Sequence, residues 1–339
     1  MKILVTGGLG FIGSHTVVEL QNEGFEVVIV DNLSNSSKDV LGGIERITKR
    51  KPLFENIDLR DKKAVKELFA TYSDIVGVIH FAASKAVGES VENPLLYYEN
   101  NINTLVYLLQ ELQAKPKANI IFSSSCTVYG QAEEMPITEN APVQQAMSPY
   151  GNTKQMGEEI ITDVVKVSDI NAVLLRYFNP IGSHPSAEIG ELPLGVPQNL
   201  VPFITQTAMG IRKKLSVYGD DYPTADGTAV RDYIHVVDLA KAHVVALQRL
   251  LQNKNEAKVE TFNIGTGTGS SVLEVIHAFE KVSGQKLPYK IVGRREGDIT
   301  EAYANTDKAN TVLGWQAKST LEEALASAWK WEQKIREKK

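Results

Sequence analysis

Lys2-Ile3-Leu4-Val5-Thr6-Gly7-Gly8-Leu9-Gly10-Phe11-Ile12-Gly13 is the stretch that decides the fold of this 339-residue chain. A short strand-forming run ends on Gly7, Gly10 and Gly13, spaced G-x-x-G-x-x-G, and a helix begins near Phe11. A glycine turn between a strand and a helix lets backbone approach a pyrophosphate and aims the helix N–H groups at it. The spacing differs by one residue from the G-x-G-x-x-G form, and a glycine turn that holds no ligand is written in the same letters. What separates the two is Asp31, which ends the second strand 18 residues after Gly13, where a carboxylate accepts hydrogen bonds from a ribose diol. The pair reads as a dinucleotide site. The same carboxylate repels a 2′-phosphate, and Asn32, Leu33, Ser34, Asn35 and Ser36 include no Arg to receive one, so NAD is preferred over NADP. Asp58, at the end of the third strand, either accepts from the adenine amino group or caps the next turn.

Outward from this stretch, short β-branched runs alternate with segments of helical period, the sequence form of repeated βαβ units. Strands are expected at 2–6, 26–31, 53–57, 75–80, 119–124 and 172–177, and a helix opened by Asp61 carries Ala64, Val65, Leu68, Phe69 and Tyr72 on one stripe. The expected fold class is α/β: a doubly wound, Rossmann-like parallel sheet with a smaller mixed α/β substrate-binding domain. After Tyr177 the texture changes. Residues 179–199 and 219–231 are rich in Pro, Gly and polar residues, either binding loops or plain surface excursions. Regular elements return with a helix over 237–251, a strand over 260–264 and a helix from Leu321 opened by Thr320 and Glu323. Residues 1–176, joined by about 235–265, are therefore read as the dinucleotide-binding domain, and 177–339 as a discontinuous substrate domain.

Composition narrows the classes. Lys and Arg number 36 against 41 Asp and Glu, a net charge of −5, which offers no overall counter-charge to a nucleic-acid backbone. The single cysteine, Cys126, excludes a disulfide scaffold and reads as a small buried hydrophobe. No apolar run approaches a spanning helix and the chain opens directly on a strand, so the default is a cytoplasmic protein without membrane contact. The six histidines, His15, His80, His184, His235, His243 and His277, show no metal-ligand spacing; His80 and His235 read as packed, hydrogen-bonded residues.

Tyr150 and Lys154 sit four apart at the start of a helix expected over 150–167, and so share one face. A phenol of pKa about 10 is a poor base at neutral pH. A neighbouring ammonium and the positive ring of an oxidised nicotinamide both favour the phenolate, and such a pair takes a proton from a sugar hydroxyl while hydride leaves the same carbon. The pair follows Ser123-Ser124-Ser125 at the carboxyl end of the fifth strand, the edge where open α/β sheets bind ligands. Ser125 either shares the substrate oxygen with Tyr150 or merely caps a turn.

These residues resemble the extended short-chain dehydrogenase/reductase family. The resemblance runs over nearly the whole chain and rests on 6–15, Asp31-Asn32-Leu33, 80–90, 122–130, Arg176-Tyr177-Phe178-Asn179-Pro180, Arg231-Asp232-Tyr233-Ile234-His235 and Arg294-Arg295-Glu296-Gly297-Asp298. It implies an NAD-dependent epimerase that interconverts UDP-galactose and UDP-glucose through a transient 4-keto-hexose. Tyr150 is then the base, Lys154 orients the nicotinamide ribose and Ser125 assists. The NAD pocket takes Phe81, Ala82, Ala83, Lys85, Asn100, Ser123, Tyr177 and Phe178, beside Gly7, Gly10, Phe11, Ile12, Gly13, Asp31, Asn32, Asn35, Ser36, Asp58 and Leu59. The UDP-sugar falls to Asn179, Asn199, Leu200, Tyr218, Arg231, Arg295 and Asp298, with Lys85, Ser125 and Tyr150 from the first half. Position 302 is a tyrosine in relatives restricted to plain hexoses; the small Ala302 predicts room for UDP-N-acetylgalactosamine and UDP-N-acetylglucosamine. A nucleotide-sugar 4,6-dehydratase needs an acid pair where Cys126 and Thr127 stand, and a non-catalytic NAD-sensing regulator has no use for Ser125, Tyr150 and Lys154 together. The stripes of 95–112 and 150–167 either pair with their copies in a homodimeric four-helix contact, as in the family, or belong to the intrachain core.

Overall fold

The computed structural model describes residues 1–295 and 298–337. The first half runs β1 (Lys2–Thr6), α1 (Phe11–Asn22), β2 (Glu26–Val30), α2 (Asp39–Thr48), β3 (Leu53–Glu55), α3 (Lys62–Thr71), β4 (Ile75–His80), α4 (Val87–Glu92), α5 (Pro94–Gln113), β5 (Asn119–Ser123), α6 (Pro149–Lys166) and β6 (Asn171–Tyr177). It continues with β7 (Asn179–Ile181), α7 (Leu200–Ala208), β8 (Leu215–Tyr218), β9 (Val230–His235), α8 (Val236–Leu251), β10 (Val259–Ile264), β11 (Gly269–Ser271), α9 (Val272–Ser283), β12 (Tyr289–Val292), β13 (Glu301–Ala302) and α10 (Leu321–Glu337).

Seven of these strands form one parallel sheet in the order β10-β6-β5-β4-β1-β2-β3. Because strand side chains alternate, Ile3, Val5, Ile29, Ile79, Val173 and Phe262 face α1 and α8, while Leu4, Val28, Val78, Ile120, Phe122 and Leu174 face α3, α5 and α6. Each face is thereby covered by helices, as fully apolar parallel strands require. The expected strand and helix positions agree with the observed ones to within two residues, and both capping expectations are realised. Asp61 accepts from Lys63 and Ala64 N–H, and Thr320 and Glu323 cap each other's backbone.

The stretch after Tyr177 contains more regular structure than its texture suggests. β9 pairs with β7 and β13 in parallel and with β11 antiparallel, and β8 and β12 form a separate parallel pair. These strands are two to six residues long, too short for alternation to show. The chain leaves the sheet after β6 and returns through α8 and β10. The direction of winding reverses between β1 and β4, which opens a crevice at their carboxyl ends.

Candidate active site

The crevice is built for backbone contact. Gly7 has φ +66°, and a Cβ there would lie 2.8 Å from Ala82 N; a Cβ on Gly13 would lie 2.2 Å from Gly7 O. Side chains are excluded at both positions, so the turn and helix α1 close on each other. α1 starts with no side-chain cap and no acidic residue in its first turn, leaving N–H groups and a positive dipole end for an anion. The Asp31 carboxylate accepts from Leu9 N at 3.0 Å, Leu33 N at 2.9 Å and Ser36 Oγ at 2.7 Å. Three of its roughly four lone-pair sites are thus engaged in clamping the glycine turn to the loop after β2, and one is free for a diol. Thr6 Oγ1 and His80 Nδ1, 2.7 Å apart, pin the ends of β1 and β4 together, and burial drives the His80 imidazole down to about 3. This set fits a dinucleotide diphosphate. Of the two roles open to Asp58, the structure displays the turn cap: its carboxylate accepts from Arg60 N at 2.9 Å and Nη2 at 2.6 Å and is held near 2, with the Asn32 amide at 3.3 Å. Leu59 is buried and Asn35 exposed.

The next strand end carries the reactive side chains. Ser148 caps α6 by accepting from Gly151 N, and Pro149 at the first turn fixes the entry angle. Tyr150, Lys154 and Glu158 then lie buried on one face of the helix, against β5. Lys154 Nζ donates to Ser123 O at 2.7 Å and stands 5.0 Å from the Phe122 ring centroid and 5.8 Å from that of Tyr150. Burial raises Tyr150 well above the ordinary phenol, and Ser125 opposes that rise. Burial also pulls Lys154 down to about 8, opposed by Glu158. Of the two roles open to Ser125 the structure displays the turn cap, in which its Oγ accepts from Thr127 N at 3.2 Å.

Phe81 packs on His243 with ring centroids 4.7 Å apart, Asn100 Nδ2 donates to Ser84 Oγ, and Ala82 N approaches Thr6 Oγ1. Ala83 is half-buried and Phe178 buried, and burial raises the Tyr177 phenol. From the second half, Arg231 Nη2 meets Asp298 Oδ1 at 2.8 Å, and the Arg295 guanidinium stands 4.4 Å from the Tyr218 ring centroid. Arg231 also opposes the burial that lifts the Cys126 thiol to about 11, which places its charge beside the seryl turn. Cys126 packs against an apolar cluster but is half-buried, not buried as expected, because it lies in the turn after β5 at the edge of that cluster. Asn199 Nδ2 donates to Glu191 Oε1 at 2.7 Å, and Lys85 Nζ is 3.9 Å from the same oxygen. Leu200 opens α7, and Asn179 opens β7 opposite Tyr233. Ala302 is buried opposite Arg231, among Val128, Phe178 and Ala304. Of the motif calls, Glu296 and Gly297 lie outside the described residues.

Sequence reasoning missed several residues that hold this arrangement. Asp232, fully buried, accepts from Thr266 N and Oγ1, Gly267 N and Ala304 N, tying β9 to the loop after β10 and to β13. Glu191 gathers Lys85 and Asn199. Glu158 is bound by Ser124 and Arg176. Only Glu158 left a sequence signal, the continuation of the Tyr150–Lys154 spacing by four. The partners of Asp232 lie 34 to 72 residues away, and of those of Glu191 only Asn199, eight residues on, is near it in sequence.

A doubly wound parallel sheet with a glycine cradle at its switch point and Ser, Tyr and Lys at the neighbouring strand end defines an extended short-chain dehydrogenase/reductase. The sequence model described as GDP-mannose 4,6 dehydratase matches residues 4–328. UDP-glucose 4-epimerase of Bacillus subtilis is 52% identical over 333 residues, spanning 98% of this chain and 97% of that protein. Two crystal structures of UDP-glucose 4-epimerases superpose closely. That from Stenotrophomonas maltophila, with bound NAD and formylated UDP-arabinopyranose, has a TM-score of 0.95 at 46% identity and covers 100% of both chains. That from Bifidobacterium longum, in complex with NAD+ and UDP, has a TM-score of 0.94 at 46% identity and covers 99% of both. The chain belongs to the UDP-glucose 4-epimerase family.

Proposed function

We propose that this chain is an NAD-dependent epimerase that interconverts UDP-galactose and UDP-glucose through a 4-keto-hexose held in the site. The observation that carries the reading is the convergence of Ser125, Tyr150 and Lys154 at one strand end beside a glycine cradle that admits no side chain. Tyr150 Oη takes the proton of the sugar C4 hydroxyl, and Ser125 hydrogen-bonds the same oxygen as negative charge develops on it. Bound NAD supplies a reversible acceptor for the C4 hydride. Lys154 orients the nicotinamide ribose. Asp31 accepts from the adenosine ribose, and Phe11, Ile12 and Gly13 present N–H groups to the diphosphate. Arg231 and Arg295 meet the diphosphate of the UDP-sugar, with Tyr218, Asn179, Asn199, Leu200, Asp298 and Lys85 around it. The ketone turns over while the nucleotide stays anchored, and proton and hydride return to give the other C4 configuration. The domain division at 176, with 235–265 rejoining the first half, follows from this reading, since it separates the cofactor grip from the sugar grip.

Dehydration to a 4-keto-6-deoxy sugar requires a carboxylic acid next to Ser125, and Cys126 and Thr127 are not acids. The small side chain at Ala302 supports acceptance of UDP-N-acetylgalactosamine and UDP-N-acetylglucosamine as well. We take the protein to be a cytoplasmic homodimer. Support for the dimer comes from exposed Leu95 and half-buried Ile102 and Val106 on α5, with half-buried Met156, Ile160 and Val164 on α6. Among the described residues no helix is long and apolar enough to cross a membrane. The function is tested by incubating the purified protein, without added NAD, with UDP-galactose and with UDP-N-acetylgalactosamine and resolving the products by chromatography. UDP-glucose and UDP-N-acetylglucosamine are expected; a 4-keto-6-deoxy sugar, or no conversion of UDP-galactose, overturns the reading.

A further inference from the structure

Glu158 lies one helical turn beyond Lys154 and two beyond Tyr150, buried on the face of α6 that carries both. Its carboxylate accepts from Ser124 Oγ at 2.5 Å and from Arg176 Nε and Nη2 at 2.9 and 2.5 Å. Arg176 is stacked 4.8 Å from the centroid of Tyr129, in the turn that follows Ser125. Every partner of this carboxylate thus belongs to, or braces, the strand end that carries Ser123 and Ser125. We propose that Glu158 is a positioning residue of the epimerisation: anchored by Arg176, its anion fixes the 123–125 turn and serves as the counter-charge that keeps Lys154 an ammonium. The inference rests on the function proposed above.

Among the described residues, the surroundings of Lys154 leave Glu158 alone in that role. There the ammonium has one hydrogen-bond acceptor, the Ser123 carbonyl, and burial works to strip its proton. On β4, His80 is neutral; on β6, Arg176 is a cation and Tyr177 a neutral phenol; on α5, Tyr97 is a neutral phenol; after β5, the Cys126 thiol is protonated; and Tyr150 on α6 is itself buried. None of these brings negative charge at neutral pH. A buried ion pair is commonly replaceable by apolar residues without loss of stability, so a role in folding alone does not require an acid at this place.

The test is the pH profile of kcat and KM for UDP-galactose in the wild type, in Glu158→Gln and in the double variant Glu158→Met with Arg176→Met, which removes both charges and leaves no buried ion unpaired. Wild-type turnover first establishes the reaction, and its absence counts against the proposed function. Given turnover, Glu158→Gln is expected to lower kcat by about tenfold or more, to leave KM within about twofold, and to move the alkaline limb of kcat down by about one pH unit as Lys154 loses its proton earlier. The double variant is expected to shift the limb the same way, because the carboxylate one helical turn from Lys154 is lost in both. It decides the matter if the single variant does not fold. Glu158→Asp, which keeps the charge, restores the wild-type limb. An alkaline limb unmoved in both charge-removing variants overturns the inference and leaves a merely structural ion pair.

Discussion

Ala302 and Asp31 show how much one side chain decides here. Ala302 is buried where β13 meets β9, packed against Phe178 and Val128, so a larger residue has to displace that cluster or project toward the seryl turn. Ala302→Tyr is accordingly expected to reduce kcat/KM for UDP-N-acetylgalactosamine by about 10- to 100-fold, the loss a blocked pocket produces, while changing that for UDP-galactose by less than about threefold. Equal effects on both sugars, measured side by side, would remove position 302 from the account of substrate range. Asp31 reads in the sequence as a candidate ribose acceptor; its three protein hydrogen bonds make it a clamp, and that duty has no signature in a strand-end aspartate. Arg231 is the opposite case. Nothing local distinguishes it, and only folding brings Asp298, 67 residues on, to its guanidinium.

At the scale of elements, the glycine turn and α1 act as one piece. The ideal Cβ of Gly13 overlaps Gly7 O at 2.2 Å, a backbone atom that cannot yield without moving the turn. Gly13→Ala is predicted to cost about 2–4 kcal/mol of stability and to release the dinucleotide, read as lost NAD content after purification and a lower unfolding midpoint. Full retention of both contradicts the cradle. The α5 and α6 faces make a second prediction. Each helix has a buried stripe in the core, with Leu105, Leu108 and Leu112 on α5 and Ile161 and Val165 on α6, and a partly exposed apolar stripe besides. Leu95→Glu combined with Ile160→Glu is expected to give a monomer by sedimentation; an unchanged species, or a monomer in the wild type, rejects the four-helix contact. The periodicity of 95–112 and 150–167 could not separate the two stripes, because a helix apolar on two faces shows one blurred pattern. The long strands of the first half were readable for the reverse reason. Runs such as 27–30 and 120–122 are apolar throughout and end at Asp31 and Ser123, whereas β7, β11 and β13 span three residues or fewer and are held by Asp232 and by pairing with β9.

For the whole molecule, burial of ionisable groups sets the response to pH. His15, His80 and His243 are enclosed and held neutral, with values pushed down from 6.5 to about 3, 3 and 4. A lowered histidine value means that the unfolded chain takes up the proton first. The stabilisation is therefore complete above about pH 6.5 and is lost as pH falls toward 4, at up to about 1.4 kcal/mol per pH unit for each histidine. Asp232 and Glu191, raised by burial, oppose this. Denaturant unfolding is expected to show a lower midpoint at pH 5 than at pH 7, and equal midpoints would mean that the histidines do not outweigh the two carboxyls. Catalysis rests on the Tyr150 phenol at the start of α6. Its most direct measurement is turnover of UDP-galactose by Tyr150→Phe, with bound NAD and UDP affinity determined on the same preparation. A fall in kcat of about 10³-fold or more, with NAD content and UDP affinity at wild-type levels, is the predicted result. Epimerisation at near wild-type rate in that variant would contradict the account.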